Sequence, residues 1–415
     1  VTTDAGKVQA LDLQDERLLQ HSGLRGAVRD FFLRVRGGDL GSIPVIVGLV
    51  IIWAVFQILN PTFLSSTNLV NLTMQSAAVG TIAIGIVLVL LLGEIDLSVG
   101  SVSGLSSAIL AVGYVQLGLP LPLVLVASLV TGALVGLVFG LLRTRFGVPS
   151  FVITLAGLLS VLGLQLLVLG RTGSINIPFD SWIVQFGQQW FLPAWASYTL
   201  SGIAVAVFVW GQFAQARRRE AAGLSTTSTG LILVRASALL VVLGVATWYL
   251  NLSRGVGAMF TLFVLLAVIM QYVLTRTRWG RSVYAVGGNV EAARRAGIRV
   301  NRVYVSVFML CSTFAALGGL LAAARLAAAN QGSGGADTNL NAIAAAVIGG
   351  TSLFGGRGSA FSAVLGILVI MSITSGLTLI NPDSSVRYII TGAVLLLAVV
   401  IDSLSRRSRA ASGRA

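Results

Sequence analysis

Residues 287–302 read GGNVEAARRAGIRVNR, a polar stretch between two long apolar segments. Asn289 is a residue type that caps the free amides of a first helical turn. Glu291 sits where the positive end of the helix dipole favours a carboxylate, and Gly297 can take the left-handed conformation that ends a helix. The spacing predicts a helix of about seven residues, roughly 10 Å long. Ala292, Ala293 and Ala296 fall on one side with almost no bulk, and Arg294, Arg295 and Arg299 stand around the rim. Such a surface performs recognition, since a groove on another protein could approach its backbone closely. An ordinary solvated helix beside anionic lipid is the other reading of the same spacing.

A second informative segment is GEIDLSVGSVS at 93–103. Gly93, Asp96, Leu97, Ser98 and Gly100 suit a tight entry into an apolar helix, with Asp96 capping its start and the small residues allowing close packing. GGTSLFGGRGS at 349–359 has a similar shape: Gly93 matches Gly349, Leu97 matches Leu353 and Gly100 matches Gly356. The shared orientation fits a parallel internal repeat, and a chance likeness between two glycine-rich turns explains it equally well.

Catalytic chemistry has few places to reside. One histidine, His21, and one cysteine, Cys311, cannot build a zinc or haem site or a disulfide. The single lysine, Lys7, lacks the glycine spacing of a phosphate loop, so any ATP would be bound by another subunit. The chain is expected to be no enzyme and to hold no cofactor or metal of its own. None of the fourteen acids lies in the middle of an expected crossing: Glu94 and Asp96 are placed at a cytoplasmic turn and Asp402 at the end of the last span. Carriers coupled to protons or sodium usually need an ionisable or unwound site near the midplane, so a secondary carrier is disfavoured, though backbone carbonyls could still bind sodium.

The elements that must position these residues are membrane helices. Apolar residues make up 56% of the 415 and charged residues 10%, with a mean hydropathy of +0.91, which excludes a soluble globule with a polar surface. The fold class is all-α and polytopic, with 10–12 helices. Crossings are expected near 43–59, 69–92, 98–116, 121–142, 150–169, 196–213, 231–250, 256–274, 303–324, 340–355, 360–380 and 386–402. The segment 340–355 is short and glycine-rich, and could be broken or re-entrant. The first apolar run begins after some forty polar or amphipathic residues, so no cleavable signal peptide is expected.

The arginines test this reading independently. With the N-terminus inside and every segment crossing, only Arg171, Arg254, Arg325 and Arg387 of the 28 basic residues lie outside. The remainder mark the cytoplasmic side, which places both termini and the 275–302 loop there. The net charge of +14 is therefore topology, and no basic stripe with interleaved aromatics suggests nucleic acid. Residues 1–40 read as a tail whose 11–36 portion is a basic amphipathic helix on the inner leaflet, 41–404 as the transmembrane domain, and 405–415 as a second basic tail. Arginine over lysine at 27 to 1 points to a GC-rich bacterial genome.

At this point the chain resembles a known family. EAARRAG at 291–297, NPTFLSSTNLVNL at 60–72, GEIDLSVGS at 93–101, VPSFVITLAGLL at 148–159, TRWGRSVYAVGGNVEAARRAGI at 277–298 and NLNAIAAAVIGGTSLFGG at 339–356 are similar to the monosaccharide permeases of ABC importers, ribose-type and xylose-type. An apparent added hairpin within 171–250 leans towards the longer, xylose-type members. The Ile-x-Leu-Pro ending that follows the coupling motif in many other importers is absent.

The resemblance implies a multi-pass permease of the bacterial cytoplasmic membrane. It would work as a homodimer, over cytoplasmic ATPase subunits that bind ATP and magnesium and beneath an extracytoplasmic sugar-binding protein. Asn289, Glu291, Ala292, Ala293, Arg294, Ala296 and Gly297 would couple to the ATPase. A path for a neutral polyol needs amides and hydroxyls without fixed charge, for which Asn68, Asn71, Gln75, Ser98, Thr154, Gln165 and Asn341 are candidates; each could instead serve helix packing. Cargo other than xylose, namely ribose, another monosaccharide, an autoinducer sugar or a branched-chain amino acid, would leave the same helix in use.

Overall fold

The computed structural model describes residues 43–381 and isolated positions between 383 and 400. The tails at 1–40 and 405–415, with His21 and Lys7, lie outside the described residues, as do Arg387, Asp402 and most of the expected crossing at 386–402.

Among the described residues the chain is helical apart from one short strand pair, and nine helices are long and apolar enough to cross a bilayer. It is a multi-pass membrane protein. In chain order the helices are α1 (Ile43–Leu59), α2 (Ser66–Leu91), α3 (Val99–Ala111), α4 (Leu121–Phe146), α5 (Ser150–Leu169), α6 (Trp182–Gln188), α7 (Ala194–Ala221) and α8 (Thr229–Asn251). They continue with α9 (Ala258–Arg276), α10 (Arg278–Gly288), α11 (Val290–Arg295), α12 (Val300–Leu326), α13 (Ala336–Ile348) and α14 (Ala360–Ile380). A π-helical turn at Val112–Gln116 prolongs α3. The strands β1 (Ser174–Asn176) and β2 (Ala328–Asn330) pair antiparallel, Ile175 opposite Ala329.

Two bodies can be described separately. The larger spans 41–191 and 257–404. Its centre is α12, a 27-residue helix of about 40 Å, against which α2, α3 and α4 all pack. Small residues make this possible. Serines on α3 hydrogen-bond backbone carbonyls of α12, Ser106 to Ala316 at 2.8 Å and Ser107 to Gly319 at 2.8 Å. Hydroxyl-to-carbonyl bonds of this kind satisfy groups that lipid cannot, and they hold the helices at short range. The smaller body contains Leu192–Val256, a hairpin of α7 and α8 in which the Ser201 and Thr247 hydroxyls hydrogen-bond at 2.8 Å. Trp195, Trp210 and Trp248 stand exposed on it, as befits helices that face lipid.

One expectation is corrected, and two readings that the residues leave open are decided. The segment 340–355 is no full crossing: α13 has 13 residues, about 20 Å, too short for a hydrocarbon core of about 30 Å. Its first turn meets the start of α3, where Asn339 Nδ2 donates to the Leu97 carbonyl at 2.7 Å. The chain leaves α12 through the short strand β2 and a turn over residues 331–334 before α13 begins.

Asp96, secondly, is no cytoplasmic turn residue. It is 1% exposed and lies against Cys311, near the middle of α12. After α2 ends, residues 93–98 run back into the protein, so that α3 starts half-way along α12. Asp96 does not cap α3 either. The cap is Ser98, which makes no side-chain capping bond, while Asp96 Oδ1 accepts from the Ser98 amide at 2.8 Å and its hydroxyl at 2.6 Å.

The repeat, thirdly, does not extend to conformation. Gly93 has φ +75° where Gly349 has −67°, and Gly100 is helical where Gly356 has φ +72°. The two turns do meet in space: the Phe354 carbonyl packs on Gly93.

Candidate functional site: a cytoplasmic helix and a mid-depth polar cluster

The EAARRAG segment forms a short capped helix. Asn289 Oδ1 accepts from the Ala292 amide at 2.9 Å, and Glu291 lies in the first turn of α11. Gly297, at φ +83°, ends the helix with its amide donating to the Arg294 carbonyl at 3.0 Å. Glu291 and Arg294 form an exposed ion pair at 2.8 Å. Ala292 and Ala296 are exposed beside them, but Ala293 is buried, because it faces the apolar core beneath α11. The uniform alanine face expected from spacing is therefore split, with one alanine spent on holding α11 in place.

What α11 is attached to was not evident from the motif. The last turn of the preceding helix α10 contains Gly287, where a Cβ would overlap the Leu91 carbonyl at the end of α2. That same carbonyl accepts the Gly356 amide at 2.9 Å, and the Tyr284 hydroxyl donates to the Gly358 carbonyl at 2.8 Å. Burial raises the Tyr284 phenol above its ordinary pKa, so this donor stays protonated throughout the physiological range. Gln271 Oε1 on α9 accepts from the Ser359 hydroxyl at 2.9 Å and the Ala360 amide at 3.0 Å. The hairpin of α10 and α11 is thus bound to the turns after α2 and after α13.

Half-way through the protein lies the second cluster. Thr154 and Ser150 on α5 receive the backbone amides of Leu97 and Ile95 at 3.1 and 3.3 Å. Gln165, on the same helix and fully buried, donates through Nε2 to the carbonyls of Asn330, Gln331 and Ser333 at 3.2, 3.5 and 3.0 Å. Ser98 and Thr154 thus lie at the start of α3, while Gln165, about three turns further along α5, lies beside Gly104 within α3. Asn339, absent from the candidates, joins them. Its signal was its place in the first turn after the glycine run GSGG, which the neighbouring Asn341 shares less directly.

Other candidates serve elsewhere. Asn68 donates to the Phe63 carbonyl at 2.7 Å and accepts from the Ser375 hydroxyl at 3.1 Å, tying α2 to α14 at their outer ends. Asn71 and Gln75 are half-buried on the outer part of α2, and Asn341 is half-buried on α13. At the cytoplasmic end of α4, Arg143 pairs with Glu94 at 2.8 Å and lies over the Tyr304 ring at 5.2 Å. No group of three or more potential metal-ligating side chains occurs among the described residues.

Comparison with known proteins gives a consistent result. A family model described as the permease component of branched-chain amino acid transport systems matches residues 68–399. The xylose transport system permease protein XylH of Escherichia coli K12 is 40% identical over 347 residues, 83% of this chain and 87% of that protein. Its Haemophilus influenzae counterpart is 35% identical over 377 residues, 90% of this chain and 99% of that one. The ribose import permease protein RbsC of Bacillus subtilis is 32% identical over 365 residues, 88% and 94% of the two chains. No solved structure matches. With a short capped helix carried on a polytopic helical body, and with relatives aligned over nearly its whole length, the chain belongs to the family of permease components of branched-chain amino acid transport systems.

Proposed function

We propose that this chain is the membrane-spanning subunit of an ATP-driven sugar importer of the bacterial cytoplasmic membrane. It passes a monosaccharide, D-xylose first, from an extracytoplasmic binding protein to the cytoplasm. The sugar assignment is supported by the 40% identity to the E. coli xylose permease against 32% to the B. subtilis ribose permease. A separate cytoplasmic ATPase binds ATP and magnesium, and two copies of the permease form the path. The chain itself catalyses no reaction.

The observation that carries this reading is the exposed capped helix α11 on the arginine-rich side. A groove on the ATPase would receive Asn289, Glu291, Ala292, Arg294, Ala296 and Gly297, with Ala293 supporting them from beneath. Closure of the ATPases on ATP would pull on α11 and bias the permease between outward and inward access.

The test is transport and assembly together. Glu291→Lys reverses the charge at the helix start, and Gly297→Val forces a β-branched residue into left-handed backbone at φ +83°. Neither side chain enters the core. Both variants should insert normally, lose the co-purifying ATPase and lose ATP-dependent xylose uptake. Uptake retained at wild-type expression would refute the assignment of α11. Uptake that survives ATP depletion but stops with a protonophore would point to a secondary carrier instead.

A further inference from the structure

The end of β2 and the turn that leads to α13, Asn330–Gly335, read NQGSGG and lie across the first half of α3. The seat of this segment is built from backbone. A Cβ at Gly104 would overlap both the Ser333 carbonyl and Gln165 Oε1, and one at Gly100 would come within 2.6 Å of the Gly334 carbonyl. No side chain interlocks the segment with α3 at these two points. On its other face Gln331, Gly332 and Gly335 are exposed. Three glycines in six residues give a backbone that rearranges at little steric cost.

The segment is tied at its start to β1, where Asn330 pairs with Ser174 and the Gln331 amide donates to the Gly173 carbonyl at 3.2 Å, and beside α3 to Gln165, whose amide nitrogen spans three of its carbonyls. The hydrogen bonding behind it is incomplete. Gln165 Oε1 and Asn339 Oδ1 are both buried and accept no hydrogen bond. A buried acceptor left without a donor has lost its water and gained nothing in return. Turning the Gln165 amide over gains nothing, since its nitrogen already has acceptors and its oxygen would then face three carbonyls. The cluster leaves two buried acceptors without donors.

We propose that Asn330–Gly335 is a displaceable stopper seated in a hydroxyl-binding site, and that Gln165 and Asn339 bind the passing sugar when the stopper leaves. A neutral polyol matches this chemistry on both sides. Its oxygens replace the carbonyls that now accept from Gln165 Nε2, and its hydroxyl hydrogens supply the donors that Gln165 Oε1 and Asn339 Oδ1 lack. A carboxylate matches it less well, because the two side-chain atoms of Gln165 and Asn339 left without a partner, Gln165 Oε1 and Asn339 Oδ1, are both acceptors. The first turn of α13 carries Asn339, so movement of α13 and withdrawal of the stopper are one event. The assignment rests on the permease reading and extends it to the residues that touch the sugar.

The experiment uses the whole importer in membrane vesicles, the permease with its ATPase and binding protein, and [14C]xylose as probe. Gln165→Leu and Asn339→Leu should each lower kcat/KM for ATP-driven uptake about tenfold or more, as loss of a hydroxyl-binding group does in a site built for one. The ATPase should still co-purify with both. In the wild-type complex, pulse hydrogen exchange of peptides covering 330–335 should quicken when xylose, binding protein and ATP are present together, and in Gln165→Leu it should be quick without them. The exchange comparison in wild type stands even if Gln165→Leu fails to assemble. Exchange that ignores the sugar overturns the proposal and leaves a bound water as the partner of the two acceptors, as does full uptake by both variants. If the wild-type complex imports xylose in either case, the permease reading survives; if it imports no sugar, both fall.

Discussion

The Gly356 amide donates to the Leu91 carbonyl at 2.9 Å, and Gly287 lies against the same carbonyl with no room for a Cβ. Three separate stretches of chain therefore meet through backbone alone, at the inner end of the helix that leads to α11. Gly355 completes the junction, since a Cβ there would come within 2.6 Å of the Gly287 carbonyl.

Gly287→Ala should break this junction. Neither the Leu91 carbonyl nor the Gly356 amide is a flexible side-chain end that could swing away, so the helix or the turns must separate. The expected result is weaker coupling between ATP hydrolysis and uptake, with a cost of about 1–3 kcal/mol in stability. Gly288→Ala is the internal control: it is the next residue, also helical, and meets nothing within 4 Å. ATPase activity per sugar imported, measured for the two variants side by side, checks the claim, and equal ratios would remove the junction from the mechanism.

The ion pair between Arg143 and Glu94 closes the inner end of the polar segment 93–98. Arg143 donates from Nε and Nη2 to one Glu94 oxygen at 2.9 and 2.8 Å, and the Glu94 side chain is 11% exposed. Partial burial lifts the pair above an ordinary surface bridge, while the exposure of Arg143 limits its worth to about 1 kcal/mol. Arg143→Ala should accordingly lower the thermal midpoint of the detergent-solubilised protein, with Glu94→Gln intermediate. Arg145→Ala, two residues on and exposed, should leave it unchanged. A fluorescence melting series across the three variants measures the order.

Much of this architecture was legible in the residues because lipid imposes simple rules. Uninterrupted apolar runs placed α2, α4, α5, α9, α12 and α14 within a few residues of their observed ends, and the cap and stop of α11 were readable from Asn289 and Gly297. Hydropathy could not reveal the depth of Asp96. A segment that turns back into the protein has the same composition as one that stays at the surface, and the burial of its carboxylate is decided by Ser98 and Cys311, the latter more than 200 residues away in sequence. The same limit hid Asn339, whose partner is the Leu97 carbonyl, and split the alanine face of α11, since only the core beneath determines that Ala293 turns inward. Periodicity reports which face of a helix is apolar. It does not report which polar residue meets a backbone carbonyl across the bundle.

The last prediction concerns the seam between α4 and α12. Gly132, Gly136 and Gly140 recur every fourth residue on α4, which places them in one line along the helix. A Cβ at Gly132 would come within 2.7 Å of the Ser312 carbonyl, one at Gly136 would overlap the Phe308 carbonyl, and one at Gly140 would lie 2.7 Å from the Val305 Cα. The two helices therefore touch backbone to backbone over two turns. In a bilayer such contact is the main source of association, because lipid tails are as apolar as the side chains they replace. Gly136→Ile must push α4 away from α12, and because α3 hydrogen-bonds to the same helix, the displacement reaches the mid-depth cluster. This variant should fail to give a monodisperse peak on size exclusion in mild detergent, and its uptake should vanish with it. Gly163→Ile on α5 adds the same side chain where nothing lies within 4 Å, so the loss is one of packing rather than of hydropathy or helix propensity. Equal behaviour of the two variants would mean that the seam is not what holds α4 in place.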